Sequence, residues 1–226
     1  PLIIFDDVDL DTAVTEAING RIVHAGQACC SSKRFIVQEN IYDEFAGRLA
    51  ERLKGMKIGD PLDQGSRIGP LIDERAAQRV EEIVDRTVKA GAYCLCGGRR
   101  FDGNFFEPTV LTGVTPAMDI AQNLEVFGPV FPLIKFKTEE QAVAIADNCT
   151  YGLSSGVISG EIQRAIRVAR QLDAGNCTIN GTGLYRTHDM PFGGHRKSGL
   201  GTEGLYATLD EFTKTKTYVW KGAAIR

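Results

Sequence analysis

Short apolar runs alternate along the chain with longer segments in which apolar residues recur every three or four positions. The short runs predict β-strands and the periodic segments predict α-helices. Regular alternation of the two is typical of an α/β fold, and we expect a three-layer αβα arrangement around a largely parallel sheet. Strands are predicted at residues 2–5, 34–37, 93–95, 109–114, 130–136, 157–158, 177–179 and 213–220.

The predicted helices begin at polar caps and each present one apolar face. Asp9 or Asp11 can cap the first helix, and the sequence Thr-Glu-Glu-Gln at 138–141 is a capping box that starts a later one. The apolar stripes predict the buried faces. Those faces comprise Ala13, Val14, Ala17 and Ile18; Tyr42, Phe45, Leu49, Leu53 and Met56; Ala76, Val80, Ile83, Val84 and Val88; and Ile162, Ala165, Ile166, Ala169 and Leu172.

Composition and charge narrow the class of protein. The 226 residues are 43% hydrophobic and 24% charged, with a formal net charge of −3, as in ordinary globular proteins. Such a balance argues against a nucleic-acid partner, and no apolar run approaches the roughly 18 residues of a membrane span. Six cysteines in a chain of this length form no disulfide framework, so we expect a reducing, cytoplasmic setting.

The start of the chain is unusual, because residue 1 is Pro rather than Met and a predicted strand follows at once. No signal-peptide pattern is visible. We therefore expect the chain to be part of a longer protein. Within it, residues 1–204 are predicted to form one domain and residues 205–226 a C-terminal tail.

A turn between the first helix and the second strand carries the sharpest candidate chemistry, in the sequence Gly-Gln-Ala-Cys-Cys at 26–30. A thiolate is a strong nucleophile, and small neighbours such as Gly26 and Ala28 allow a substrate carbon to approach closely. On these residues alone, a pair of buried inert cysteines is the favoured alternative, and a redox switch between Cys29 and Cys30 is another.

Other cysteine and histidine positions do not suggest a metal site. The three histidines and six cysteines show no C-x-x-C or H-x-x-x-H spacing, so no metal ligands are predicted. Cys94 and Cys96 are two apart on a predicted strand and are expected to share one packed face.

Two further motifs have weaker signals. Residues 199–204 match G-x-G-x-x-G, but no strand precedes them and too little chain follows for a βαβ unit, so we interpret these glycines as turn residues. Glu125 and Phe127 project the same way if their segment is extended, and such a pair suits a ribose diol and a flat ring. A surface Glu beside a core Phe explains the same two residues.

Three segments taken in order resemble the NAD(P)-dependent aldehyde dehydrogenase superfamily. They are Gly-Gln-Ala-Cys at 26–29, Glu-Val-Phe-Gly-Pro at 125–129 and Pro-Phe-Gly-Gly-His-Arg-Lys-Ser-Gly at 191–199. Supporting stretches occur at 41–45, 59–61, 69–72, 107–109 and 151–154, so the resemblance covers essentially the whole chain. It implies the fold of that family's catalytic domain.

The resemblance assigns roles to individual residues. Cys29 matches the nucleophile, whose thiolate adds to an aldehyde; hydride transfer to the nicotinamide then leaves a thioester that water hydrolyses. Cys30 lines the pocket beside it. Glu125 matches a residue that binds the nicotinamide ribose, and Phe127 lies at the same end of the cofactor, NAD or NADP. Phe192 matches an aromatic wall of the aldehyde pocket.

The same resemblance makes predictions about substrate and assembly. The loop at 182–189 corresponds to the substrate-access loop, where Tyr185 and Arg186 are predicted to contact the aldehyde; Arg186 can grip an anionic substrate or be a solvated loop residue. The strand at 213–220 resembles one that pairs across subunits, which predicts a homo-oligomer, either a dimer or a tetramer.

The family's general-base Glu, its second oxyanion donor and its cofactor domain match nothing in these 226 residues, so we expect the chain alone to be inactive. Two alternatives stay open from sequence. One is a CoA-acylating relative, in which CoA rather than water takes the acyl group. The other is a stand-alone, non-catalytic domain for assembly or thiol sensing.

Overall fold

A seven-stranded sheet forms the centre of the molecule in a computed structural model that describes residues 1–222. Its strand order is β10-β9-β1-β2-β7-β6-β3, and every neighbouring pair is parallel except β3 with β6. Two short antiparallel pairs, β4–β5 and β8–β11, lie outside it. The strands are β1 Leu2–Ile4, β2 Phe35–Gln38, β3 Tyr93–Cys96, β4 Arg100–Phe101, β5 Phe105–Phe106, β6 Thr109–Val114, β7 Val130–Phe136, β8 Tyr151–Gly152, β9 Ser154–Ile158, β10 Asn176–Ile179 and β11 His195–Arg196.

Helices connect the parallel strands. They are α1 Leu10–Ile22, α2 Glu39–Lys54, α3 Glu74–Lys89, α4 Glu139–Asp147, α5 Ile162–Ala169 and α6 Leu205–Phe212. The predicted caps are present: Asp9 accepts the Thr12 N–H at 2.8 Å, and Thr138 accepts the Gln141 N–H at 3.3 Å. Connections between parallel strands are right-handed as a rule, which puts α1 and α2 on one face of the sheet and α4 and α5 on the other. The mostly parallel sheet and its connecting helices confirm the predicted α/β fold class.

The core lies between these layers. All three residues of β1 are fully buried, as are Phe35 and Ile36 of the neighbouring strand, so both faces of the central strands are covered. Strands buried on both faces have continuous apolar sequences rather than alternating ones. Within residues 1–222, no helix combines the length and the apolar character that a bilayer crossing requires.

In two helices the buried face differs from the predicted one. In α3, Thr87 is buried and Val88 is 38% exposed. The Thr87 hydroxyl donates to the Ile83 carbonyl at 2.8 Å, so this polar residue is buried without losing a hydrogen bond. In α5, Val168 is buried and Ile162 is 49% exposed.

Cys94 and Cys96 do not share a packed face as predicted. A register shift lies between them where β3 pairs with β6, and it breaks the two-residue alternation. Cys94 is exposed, whereas Cys96 is half-buried.

The predicted tail has a different local structure from the one expected. Residues 205–212 form α6, which the pattern did not predict, and residues 213–222 are exposed and form no strand within this single chain. Pairing of residues 213–220 with a second subunit therefore stays a prediction. Residues 223–226, the end of the predicted tail, lie outside the described residues.

The loops that enter the parallel strands meet at one edge of the sheet. The turn holding Cys29 precedes β2, the segment 125–129 precedes β7, and Tyr151–Gly152 precedes β9. Because these strands are parallel, their amino ends lie side by side. Residues far apart in sequence thereby meet around Cys29.

Candidate active site

A left-handed turn of backbone leads into the Cys29 loop. His24 and Ala25 both have φ of 53°, and Gly26 follows at 76°. Non-glycine residues in this region cost about 1–2 kcal/mol each. The surrounding packing must therefore hold this turn in place.

Gly26 allows the Cys29 loop to pack directly on the segment 125–129. A Cβ atom at Gly26 would lie 2.6 Å from the Gly128 carbonyl carbon, far inside van der Waals contact. The two candidate motifs therefore touch through their main chains, which places Cys29 beside Glu125. Only glycine satisfies both the positive φ and this close approach.

Arg21 of α1 cross-links the same two segments. Its side chain is fully buried and donates to the carbonyls of Val126 and Val130, both at 2.8 Å, and to the Ser31 hydroxyl at 3.2 Å. Burial lowers the pKa of Arg21, and Glu125 partly offsets that shift. The sequence interpretation missed this residue, although a charged side chain on the apolar face of α1 was a usable signal.

Lys33 contacts the same two segments and was also missed. Its ammonium donates to the Ala28 carbonyl at 2.6 Å, lies 3.6 Å from a Glu125 carboxylate oxygen, and sits over the Phe127 ring at 4.7 Å. Its side chain is only 16% exposed. Burial, together with the charge on Arg21, lowers the pKa of Lys33 to about 8.

The two adjacent cysteines have different environments. Cys29 is exposed, whereas Cys30 is half-buried, and burial together with the neighbouring Cys29 raises the pKa of Cys30. Neither is in a disulfide; all six cysteines of the chain are free. The Ser154 hydroxyl lies 3.4 Å from the Cys30 carbonyl oxygen, on the side facing the loop that starts at Thr182.

A cavity of about 260 Å³ opens beside Cys29 at the amino edge of the sheet. Cys29, Lys33 and Glu125 contribute to its wall. Two further carboxylates line it, Asp147 and Asp173, and both pair with the Arg196 guanidinium, at 3.3 Å and 2.9 Å.

A larger cavity of about 650 Å³ lies on the other side of Glu125. Glu125 and Phe127 line it, and Phe127 is 41% exposed. The rest of its wall comes from the residues before the Cys29 turn and from α3 with the loop before it: His24, Gln27, Pro70, Leu71, Ile72, Ala76, Arg79, Val80 and Ile83. The predicted carboxylate and aromatic pair is therefore at an open cavity rather than divided between surface and core.

The predicted substrate residues of the 182–189 loop lie in a separate group. Arg186 pairs with Glu203 at 2.7 Å, and its guanidinium stacks over the Phe192 ring at 4.3 Å. Tyr185 is 64% exposed. Within the described residues, none of Tyr185, Arg186 and Phe192 lines either cavity. The Arg186 charge is already paired with the Glu203 carboxylate.

The remaining motif and ligand predictions concern glycines and metals. Residues 199–204 follow the two-residue antiparallel strand β11 and not a strand of the parallel sheet, so they lack a βαβ context. No group of three or more potential metal ligands is present in the described part of the chain.

Comparison with known proteins identifies relatives of one kind. Residues 1–218 match the family model described as "Aldehyde dehydrogenase family". Glutarate-semialdehyde dehydrogenase of Pseudomonas putida is 41% identical over 216 residues, which are 96% of this chain and 45% of that protein. The chain therefore spans slightly under half the length of this curated relative.

Solved structures agree with the sequence comparison. Betaine aldehyde dehydrogenase of Staphylococcus aureus, in complex with NAD+, superposes with a TM-score of 0.90 at 39% identity over 94% of this chain and 43% of that chain. The glyceraldehyde-3-phosphate dehydrogenase of Methanocaldococcus jannaschii, complexed with NADP, gives 0.89 at 37% identity over 93% and 45%.

Proposed function

Because the chain belongs to the aldehyde dehydrogenase family, we propose that the protein carrying it oxidises an aldehyde to a carboxylic acid with NAD(P)+, using Cys29 as the nucleophile. One observation carries the proposal: Cys29 and Glu125, from separate motifs, line the same cavity. The contact between Gly26 and Gly128 and the buried Arg21 hold them there.

Cys29 is suited to covalent chemistry by its exposure and its surroundings. An exposed thiol can meet a substrate carbon, and the thiolate that it forms is a strong nucleophile. The thiolate adds to the aldehyde carbon and gives a thiohemiacetal oxyanion. The Cys29 backbone N–H forms no hydrogen bond within residues 1–222, so it is available to donate to that oxyanion.

The cavity beside Phe127 fits a nicotinamide nucleoside. Glu125 offers a carboxylate to the ribose hydroxyls, and the half-exposed Phe127 ring offers a flat apolar surface. When bound, NAD(P)+ supplies the hydride acceptor for the oxidation of the thiohemiacetal to a thioester. The protein's contribution at this site is to fix Glu125, through Lys33 at 3.6 Å, beside the Cys29 turn.

We place the aldehyde pocket between Cys30 and the 182–189 loop. Thr182 packs against the Gly20 end of α1, and Gly183 lies against the Cys30 carbonyl, so the loop starts at the nucleophile turn. Tyr185, Arg186 and Phe192 then form its outer wall. Because Glu203 neutralises Arg186, an anionic aldehyde has to displace that ion pair to bind there.

We extend the proposal to domain organisation and assembly. Residues 1–204 act as the catalytic domain, and residues 205–226 as a tail that pairs with a second subunit to form a dimer or tetramer. The described part of the tail supports this, because α6 buries none of its apolar residues and Tyr218, Val219 and Trp220 are more than 80% exposed. Six free cysteines suit a reducing cytoplasm.

The nucleophile assignment is tested by a matched pair of variants in the natural protein. Cys29→Ser is expected to abolish NAD(P)H formation from an aldehyde, whereas Cys30→Ser retains most of it. Mass spectrometry after brief iodoacetamide treatment should find Cys29 alkylated before Cys30, because the pKa of Cys30 is raised. Turnover that survives in Cys29→Ser contradicts the proposal.

A further inference from the structure

We propose that Lys33 is a positioning residue that ties the Cys29 turn to residues 125–127 and thereby sets the affinity for the cofactor. This inference rests on the proposed function, because it assumes that Glu125 and Phe127 hold the nicotinamide ribose. Lys33 does not itself have to touch substrate or cofactor.

The contacts of Lys33 divide between the Cys29 turn and the segment 125–127. Towards its own loop, the ammonium donates to the Ala28 carbonyl at 2.6 Å and lies 3.3 Å and 3.5 Å from the carbonyl oxygens of Ser31 and Cys29. Converging carbonyls of this kind fix the main chain on both sides of the nucleophile.

The other side of the ammonium faces the cofactor-binding pair. Lys33 lies 3.6 Å from one Glu125 oxygen and 4.7 Å from the centre of the Phe127 ring. Glu125 is therefore held by one oxygen, while its side chain stays 38% exposed to accept hydroxyl groups. Because the Lys33 side chain is only 16% exposed, this partly buried ion pair is screened less by salt than a fully exposed pair.

The charge on Lys33 makes this arrangement sensitive to pH. Burial and Arg21 lower the pKa of Lys33 to about 8, and the charges of Glu125 and Cys29 oppose that shift. Arg34, Arg196 and Lys197 add further positive charge around the cavity. Below pH 8 the ammonium holds Glu125, and above it the neutral amine does not. Cofactor affinity is therefore expected to fall as the pH rises through about 8.

The test measures NAD(P)+ binding by the natural protein in a Cys29→Ser background, so that the thiol does not titrate. At pH 7, Lys33→Met is expected to raise the dissociation constant about tenfold. The fall in affinity near pH 8 should be present with Lys33, absent in Lys33→Met, and shifted to higher pH in Lys33→Arg, because guanidinium keeps its proton.

Lys135→Met is the matched control. Lys135 also lies over an aromatic ring, Tyr42 at 4.5 Å, and near a carboxylate, Asp43 at 3.8 Å, but it belongs to β7 and not to the Cys29 cavity. The Lys135→Met variant should bind NAD(P)+ with unchanged affinity and an unchanged pH profile.

A second readout needs no cofactor. With Cys29 present, Lys33→Met is expected to slow the alkylation of Cys29 by iodoacetamide several-fold at pH 7, because the Ala28 and Cys29 carbonyls lose the ammonium that fixes the turn. Thermal unfolding of each variant checks that the fold is retained.

The outcomes separate the inference from the proposed function. If the wild type binds NAD(P)+ and Lys33→Met binds it with the same affinity, the inference alone is overturned. The same holds if the fall in affinity near pH 8 persists in Lys33→Met. Failure of the wild type to bind either cofactor overturns the proposed function together with the inference.

Discussion

At the scale of single residues, the site depends on a close main-chain contact that only a glycine permits. Gly26 has no Cβ, so the backbone of the nucleophile turn lies against the Gly128 carbonyl. The preceding His24 and Ala25 are held at positive φ, which such residues adopt only under constraint. The contact between the two motifs is therefore a main-chain contact that a single methyl group would break.

Gly26→Ala tests this contact. We expect it to lower the free energy of unfolding by about 2–4 kcal/mol, from overpacking and a disfavoured φ, and to displace Cys29 from Glu125. Chemical denaturation measures the loss. Gly47→Ala is the control: Gly47 is an exposed residue within α2 with no atom within 4 Å of its would-be Cβ, and alanine there should stabilise by about 0.5–1 kcal/mol. Equal effects at the two positions would contradict the packing argument.

The site residues that sequence predicts differ in kind from those that it misses. Cys29 and Glu125 are predicted as site residues only because their motifs, taken in order, resemble those of the aldehyde dehydrogenase superfamily; on the residues alone, inert cysteines and a surface Glu are favoured. Arg21 and Lys33 were missed because their roles appear only when the chain folds: Arg21 binds carbonyls more than 100 positions away. The ion pair between Arg186 and Glu203 could not be predicted, because it depends on the folded conformation of the loop at 182–189.

At the scale of elements, apolar periodicity located most strands and helices but not always the buried face. Strand β1 and residues 35–37 of β2 are continuous apolar runs, as expected of strands covered on both faces. In α3 the apolar pattern predicts that Val88 is buried, whereas the buried residue is Thr87. The pattern does not show that the Thr87 hydroxyl can donate to a carbonyl of its own helix. The site also lies at the amino ends of the strands, whereas open α/β sheets usually bind ligands at the carboxyl ends.

The tail provides the prediction at this scale. If residues 213–220 pair as a strand with another subunit, their backbone N–H groups are needed, and Thr217→Pro removes one of them. The natural protein carrying Thr217→Pro should shift towards smaller species in light scattering coupled to size-exclusion chromatography. Thr217→Val, which keeps the N–H group and a β-branched side chain, should not. Unchanged assembly in both variants would show that this segment does not form an intersubunit ladder.

At the scale of the whole molecule, the proposed nucleophile Cys29 lies in a cavity whose carboxylates are all paired with cations. Three acidic side chains line the cavity at Cys29. Glu125 lies beside Lys33, and Asp147 and Asp173 both pair with Arg196. Hydrolysis of a thioester needs a base that takes a proton from water, and a carboxylate held by a cation is a poor one. Within residues 1–222, none of the carboxylates in this cavity is free for that step.

The 226 residues produced by themselves are therefore expected to support no steady-state aldehyde oxidation. Aldehyde and NAD(P)+ should give no sustained rise in NAD(P)H absorbance, whereas iodoacetamide should still alkylate Cys29, because its exposure is a property of this chain. Circular dichroism shows whether the protein is folded, and the Cys29→Ser variant shows which labelling is specific to the nucleophile. Sustained turnover that disappears in Cys29→Ser would mean that one of the paired carboxylates, or a residue outside this cavity, acts as the base. Glu125→Gln, Asp147→Asn and Asp173→Asn would then show whether a carboxylate of this cavity is the base, because only the variant that lacks the base would accumulate the acyl-enzyme.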